Sequence, residues 1–200
     1  MNKDNLYPKT LIYVLTFIVI LCFDSLGIDH RIVRDSLGSN FVVSNYSRIV
    51  SLAPSITEIL SFIGVQDRII GVTRYCKLDR RRLGGIFDLD IEGIISLNPD
   101  IVFMLKSGSL ENYYLLSRSM KVFVLEFNTI DDVLYQLENI SDLLMLTNKS
   151  KSLEFRKVVY QKINFLKNFL SGKKFLFIFS YPTIYTSGSN SYLSDIVRKM

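Results

Sequence analysis

Tryptophan is absent from the 200-residue chain, histidine occurs once and cysteine twice. The scarcity of histidine decides most. A Ser-His-Asp or Cys-His device needs an imidazole base, and a histidine-rich zinc site needs several imidazoles. The one histidine, His30, follows an N-terminal apolar segment and precedes any regular pattern, so it reads as a surface or tail residue. If Cys22 lies in a cleaved segment, the remainder keeps one thiol, Cys76, and has no internal disulfide. Cys76 reads as a buried small hydrophobe rather than a reactive thiol. The chain also lacks a G-x-S-x-G elbow and a Walker phosphate loop. An α/β hydrolase with Ser55 as nucleophile at a strand-to-helix turn would therefore have neither elbow nor base. No catalytic residue, metal or cofactor is assigned. The net charge of +5 is scattered rather than striped and no nucleic-acid motif accompanies it, so no nucleic-acid partner is expected. Internal repeats and low-complexity stretches are missing as well.

What is present is ordinary globular composition, 48% hydrophobic and 22% charged. Two hundred residues suffice for one domain, or for one lobe and part of another. After Lys3 and Lys9, residues 11–23 are almost wholly apolar. That is short of the ~20 residues of a comfortable membrane span and fits the hydrophobic region of a secretory signal. Small residues in Ser25-Leu26-Gly27 favour cleavage after Gly27. Lipidation at Cys22 comes second, because Leu21 is larger than lipoprotein signals want, and an uncleaved anchor third. All three place the rest of the chain in the periplasm or on the outer face of the cytoplasmic membrane. Membrane contact is expected only if the segment is uncleaved or lipidated.

Beyond it, apolar runs at 48–52, 68–72, 101–105 and 121–125 alternate with helical patterns, the mark of an α/β fold with a parallel sheet flanked by helices. Residues 41–43 suggest a short edge strand. Ser55-x-x-Glu58 reads as a capping box opening a helix to Ile63, with Ile56, Ile59, Leu60 and Ile63 on its buried face. Its N-terminus, capped or not, would face a cleft and could meet an anion. Asp88 or Asp90 caps a helix at 91–97 that Pro99 ends. Thr129-x-x-Asp132 opens another, bearing Val133, Leu134, Leu137, Ile140 and Leu144. Residues 148–150 interrupt the pattern. Residues 153–170 then form a long amphipathic helix, 173–180 a fifth strand and 191–200 a last helix.

Ligands on parallel sheets bind beyond the carboxyl ends of the strands. The loops to watch are 53–55, 73–88 and 106–110. Ser55 begins the first helix. Tyr75 either packs over the sheet edge or offers a ring and phenol to a ligand. The basic run at 77–82 is either a solvated loop or a positive rim that steers an anionic chelate. Phe87 follows a glycine turn and could be a platform.

RIVSLAPSITEIL (48–60), GVTRYC (71–76) and GGIFDLDIEGIISLNPDIVFM (84–104) resemble the N-terminal lobe of class III periplasmic substrate-binding proteins. These are the vitamin B12, ferric-siderophore and haem binders of ABC importers, and the likeness is nearest to the cobalamin binders. It runs from about residue 48 to 199. The resemblance implies a signal peptide or anchor at 1–27, a substrate-binding lobe at 28–128, helices including a connecting helix at 129–171, and the start of an incomplete second lobe at 172–200. It implies no enzyme. The expected function is delivery of a corrinoid or iron chelate to permease subunits, with a non-functional truncated remnant or interaction protein of the same fold as the alternative. Ser55, Arg74, Tyr75, Phe87, Leu105 and Lys106 are the expected ligand contacts. Leu105 falls where cobalamin binders carry a stacking Trp, and leucine has no π face. Glu111 falls on a surface glutamate that docks permease arginines, and it also suits the first turn of a helix.

Overall fold

The computed structural model describes residues 31–86, 88–146, 150–170, 172–180 and 185–200. The apolar segment at 11–23, Cys22, the Gly27 cleavage position, His30, Phe87 and the first two residues of the interruption expected at 148–150 lie outside the described residues; Ser150, its third, is already helical.

Short strands β1 (Ile32–Arg34) and β2 (Asn40–Val42) pair as an antiparallel hairpin. Then come β3 (Ile49–Ser51), α1 (Pro54–Phe62), a 3-10 turn at Gln66–Arg68, β4 (Ile69–Val72), β5 (Arg81–Arg82), α2 (Ile91–Ser96), β6 (Ile101–Leu105), α3 (Leu110–Ser117), β7 (Val122–Leu125) and α4 (Ile130–Leu143). The chain ends in α5 (Ser150–Leu170), β8 (Ile178–Ser180), β9 (Tyr185–Thr186) and α6 (Tyr192–Lys199). Strands β3 to β7 form one parallel sheet in the order β5-β4-β3-β6-β7.

Continuous apolar runs suit strands covered on both faces, and side-chain alternation divides each run between two cores. On one face Ile49, Ile101, Phe103 and Phe123 meet Ile56 and Leu60 of α1 and Ile140 and Leu143 of α4. On the other, Val50, Val102, Met104 and Val124 meet Ile94 of α2 and Leu116 of α3. The hairpin guards the β7 edge. Asp35 accepts from Leu37 and Ser39 N–H at 2.9 and 2.8 Å and from Val124 N–H at 3.2 Å, occupying an edge group that would otherwise invite pairing.

Helix boundaries follow local chemistry. Gly64, at φ +86°, takes the left-handed turn after α1. Asp90 is the cap of α2, accepting from Gly93 N–H at 2.8 Å. Asn98 turns left-handed ahead of Pro99. At α4, Thr129 and Asp132 form a reciprocal capping box.

Three sequence expectations are corrected here. Arg81–Arg82, read as loop, is the edge strand β5, paired with Gly71 and Val72. The strand expected at 173–180 is confined to Ile178–Ser180 and pairs antiparallel with β9, apart from the five-stranded sheet. Of the apolar residues assigned to the long helix, Ile163 is buried, whereas Val158, Phe165, Leu166 and Phe169 are exposed.

Candidate functional site

The chain reverses its direction of travel across the sheet between β3 and β6. From β3 it winds outward through β4 and β5, then returns to β6 and β7 on the other side. At such a switch point the loops beyond the strand ends diverge and leave a crevice. A cavity of about 820 Å3 lies there, inside the about 300–1,000 Å3 common for small-molecule sites. Ser55, Glu58, Leu105, Lys106, Glu126 and Tyr192 are among its lining residues.

Ser55 enters this wall differently from the capping-box expectation. Pro54 supplies the first helical position, so the N-cap falls on Ala53 and no side chain caps the helix. Ser55 sits inside the first turn, and Glu58 lies two residues beyond Ile56, the position from which a side chain could return the reciprocal bond. Glu58 is instead an exposed residue of the cavity lining. Behind this turn a buried chain of hydroxyls and a thiol ties the strand ends together. Ser51 and Thr57 hydroxyls are 2.8 Å apart, and Cys76 Sγ lies 3.3 Å from Thr57 and 3.2 Å from Thr73 hydroxyls. Cys76 is thus a buried packing residue, as expected.

Lys106 and Glu126, following β6 and β7, face each other across the cavity wall with Nζ and Oε2 2.7 Å apart. The hydrogen bond from Lys106 holds the Glu126 carboxyl below its usual range, outweighing partial burial. A cation already neutralised can still receive an anionic or carbonyl group if Glu126 swings aside.

The loop after β4 lies beside α1. Tyr75 is 63% exposed and lines a second cavity of about 560 Å3, with Thr57, Glu58, Ser61, Phe62 and Lys77. Arg74 lines neither cavity; it is ion-paired with Asp88, its guanidinium 6.0 Å from the Tyr75 ring centroid. The basic run beyond is mostly engaged. Arg80 donates to the Ile69 carbonyl at 2.7 Å and Arg82 to the Cys76 carbonyl at 2.6 Å. Glu111 is exposed in the first turn of α3 and lines neither cavity.

The structure therefore brings Ser55, Leu105 and Lys106 together and sets Tyr75 on the far side of α1. Sequence reasoning missed Glu58, Glu126, Phe127 and Asn128 as wall residues. The last three follow β7, and the strand-end rule applied to the run at 121–125 would have found them. Phe155 and Tyr192 also line the cavity, and no local pattern marks them. Among the described residues no group of three or more His, Cys, Asp or Glu is placed to hold a metal, and no helix is long and apolar enough to cross a membrane.

A family model described as periplasmic binding protein matches residues 49–200. The chain belongs to the periplasmic binding protein family. A Vitamin B12-binding protein of Vibrio cholerae serotype O1 is 28% identical over 101 residues, covering 47% of this chain and 37% of that one. The chain thus spans little more than a third of that curated relative. Among solved structures, the periplasmic Vitamin B12 binding protein BtuF of Vibrio cholerae superposes with a TM-score of 0.63 at 22% identity, over 76% of this chain and 62% of that one. The iron uptake ABC transporter substrate-binding protein PiuA of Streptococcus pneumoniae gives 0.72 at 17% identity, over 84% and 64%. These likenesses establish the α/β fold of class III members; the family consists of binding proteins.

Proposed function

We propose that the chain is the substrate-binding component of an ABC importer for a corrinoid or an iron chelate, gripping its cargo without transforming it. The observation that carries this reading is the 820 Å3 cavity at the switch point of a sheet in a periplasmic binding protein. Its walls suit a large, mostly apolar ligand with a few polar groups. Leu105, Phe62 and Phe127 supply area, while Ser55, Lys106 and Glu126 supply donors and acceptors. The names of the relatives agree: one binds vitamin B12 and another serves iron uptake. Leu105 gives a corrinoid or haem face van der Waals contact without stacking. In this reading residues 28–128 form the ligand lobe, 129–171 the connecting helices, and the protein works in the periplasm or on the outer face of the membrane. Arg74 acts through Tyr75, which it orients. Glu111, exposed at the start of α3, is offered to arginines of the permease, where a carboxylate can pair bidentately.

Titration of the purified chain with cyanocobalamin, haemin and ferric siderophores tests the reading, followed by absorbance or by the fluorescence of its 11 tyrosines without tryptophan interference. Saturable binding of one of these classes is expected. Absence of saturable binding across all three overturns it.

A further inference from the structure

We propose that the ligand site does not end at α1 but continues over it into the second cavity, where Glu58 and Lys77 together hold a ligand arm bearing both a hydrogen-bond donor and an acceptor. The inference rests on reading the first cavity as the ligand site.

The two cavities share Glu58 and Phe62. These residues are four apart, one above the other on the same face of α1. The divide is therefore a ridge one side chain wide. A ligand seated in the first cavity can reach across it along the Phe62 ring, which is 41% exposed.

Around the two cavities most charged side chains have a partner within the protein, and the exceptions lie on the ridge and beyond it. Lys106 is paired with Glu126, Arg74 with Asp88, and Arg80 and Arg82 with backbone carbonyls. The hydroxyls are engaged too: Ser61 donates to the Thr57 carbonyl at 2.8 Å, and Thr57 belongs to the buried network with Ser51 and Cys76. The side chains of Glu58 and Lys77, by contrast, make no hydrogen bond or ion pair among the described residues, although both residues line the same 560 Å3 cavity. The displaced helix start is what frees Glu58, since Pro54 removes it from capping.

A carboxylate and an ammonium that face one cavity without meeting ask for a group that gives a proton to one and a lone pair to the other. An amide does this with its N–H and carbonyl; an ammonium beside a carbonyl or carboxylate does the same. Tyr75, on the same wall, gives such an arm a flat surface.

The test is isothermal titration of the full chain and of Lys77→Met, Glu58→Gln and Lys106→Met with three probes. Cyanocobalamin carries amide arms, ferrioxamine B an ammonium, and haemin carboxylates with no donor to match. Lys77 lines only the second cavity and Lys106 only the first, so the two variants report on the cavities separately. For a donor-bearing probe, Lys77→Met weakens binding by about tenfold. The Glu58→Gln and Lys77→Met effects combine to less than their product, because both act on one arm. An ammonium arm makes Glu58→Gln the more damaging change; an amide arm makes the two comparable. Both side chains are exposed, so thermal melts should match the parent, and Lys77→Gln serves as a second variant. If Lys77→Met and Lys77→Gln stay within twofold of the parent while Lys106→Met weakens binding, the extension is wrong and the first-cavity reading survives. If haemin is the only ligand, the donor requirement is wrong. If none of the probes binds the parent, both readings fall.

Discussion

Residues 49–143 and 150–200 carry similar apolar side chains and treat them differently. Phe103 and Phe123 in the sheet are 0% exposed and their rings meet at 5.6 Å. Phe165 and Phe169 on α5 are 65% and 64% exposed, and their rings mainly meet each other, at 5.1 Å. The same contrast separates strands: β6 is hydrogen-bonded on both sides, whereas among the described residues β8 pairs with β9 alone. An apolar period specifies which element forms. Burial is a separate matter and needs a second surface; a buried Phe contributes about 1.5–3 kcal/mol that an exposed one does not. In the first region strands β3, β4, β6 and β7 have that surface on both faces. In the second, Ile163 is buried on α5, and the polar tie of Asp131 to Tyr160 and to Lys199, the latter at 3.2 Å, connects α5 and α6 to α4.

The largest expected effect tests this contrast directly. Phe103→Ala should lose about 3–5 kcal/mol in urea unfolding, and Phe169→Ala should stay within about 0.5 kcal/mol of the parent. Equal losses would mean that the two regions are not packed differently. Helix starts give a smaller effect of the same kind. Thr129→Ala breaks the α4 capping box and should cost about 1 kcal/mol, while Ser55→Ala, with no cap to lose, should change little. A Ser55→Ala loss matching Thr129→Ala would restore the box at α1.

The smallest effect is on acid stability. Asp100 anchors the start of β6 by accepting from Ser47 N–H, Ser47 hydroxyl and Arg48 N–H at 2.8, 2.9 and 2.9 Å. Burial alone would raise its pKa; those hydrogen bonds and the Arg48 charge outweigh it and hold it below the ordinary 3.8. Such a group stabilises the fold fully above its unfolded pKa, and that contribution is lost as pH falls through the lower folded value. Asp131, held down chiefly by its bond from Tyr160, behaves the same way in the second region. Urea midpoints measured from pH 5 downward should fall less steeply in Asp100→Asn than in the parent, with the difference confined below about pH 4. Parallel pH curves for parent and variant would remove Asp100 from the account.

Much of the fold was legible because its signals are local. The runs at 68–72 and 101–105 became strands β4 and β6 because β-branched stretches bounded by turns have few other uses. Thr129 and Asp132 declared a helix start through adjacent side chains. Arg81–Arg82 gave no such sign, since a two-residue edge strand is made by its partner, here Gly71 and Val72, rather than by its own composition. The pattern Ser-x-x-Glu misled because Pro54 at the first helical position puts the N-cap on Ala53, two residues before Ser55. In the cavity wall, Ser55 and Lys106 could be placed by the strand-end rule and Leu105 by the family resemblance, while Arg74 and Tyr75 were placed only to the right loop.

From residue order alone came most of the element types, the parallel sheet flanked by helices and the ends of the strands at which to look. Those follow from periodicity, capping and turn chemistry, which act over a few neighbouring residues. Only the folded chain settled that Lys106 meets Glu126, that α1 divides two cavities, and that Phe155 and Tyr192 reach the first of them. These are meetings between side chains tens of residues apart, set by which faces of helix and sheet exclude water together. No short-range pattern encodes them.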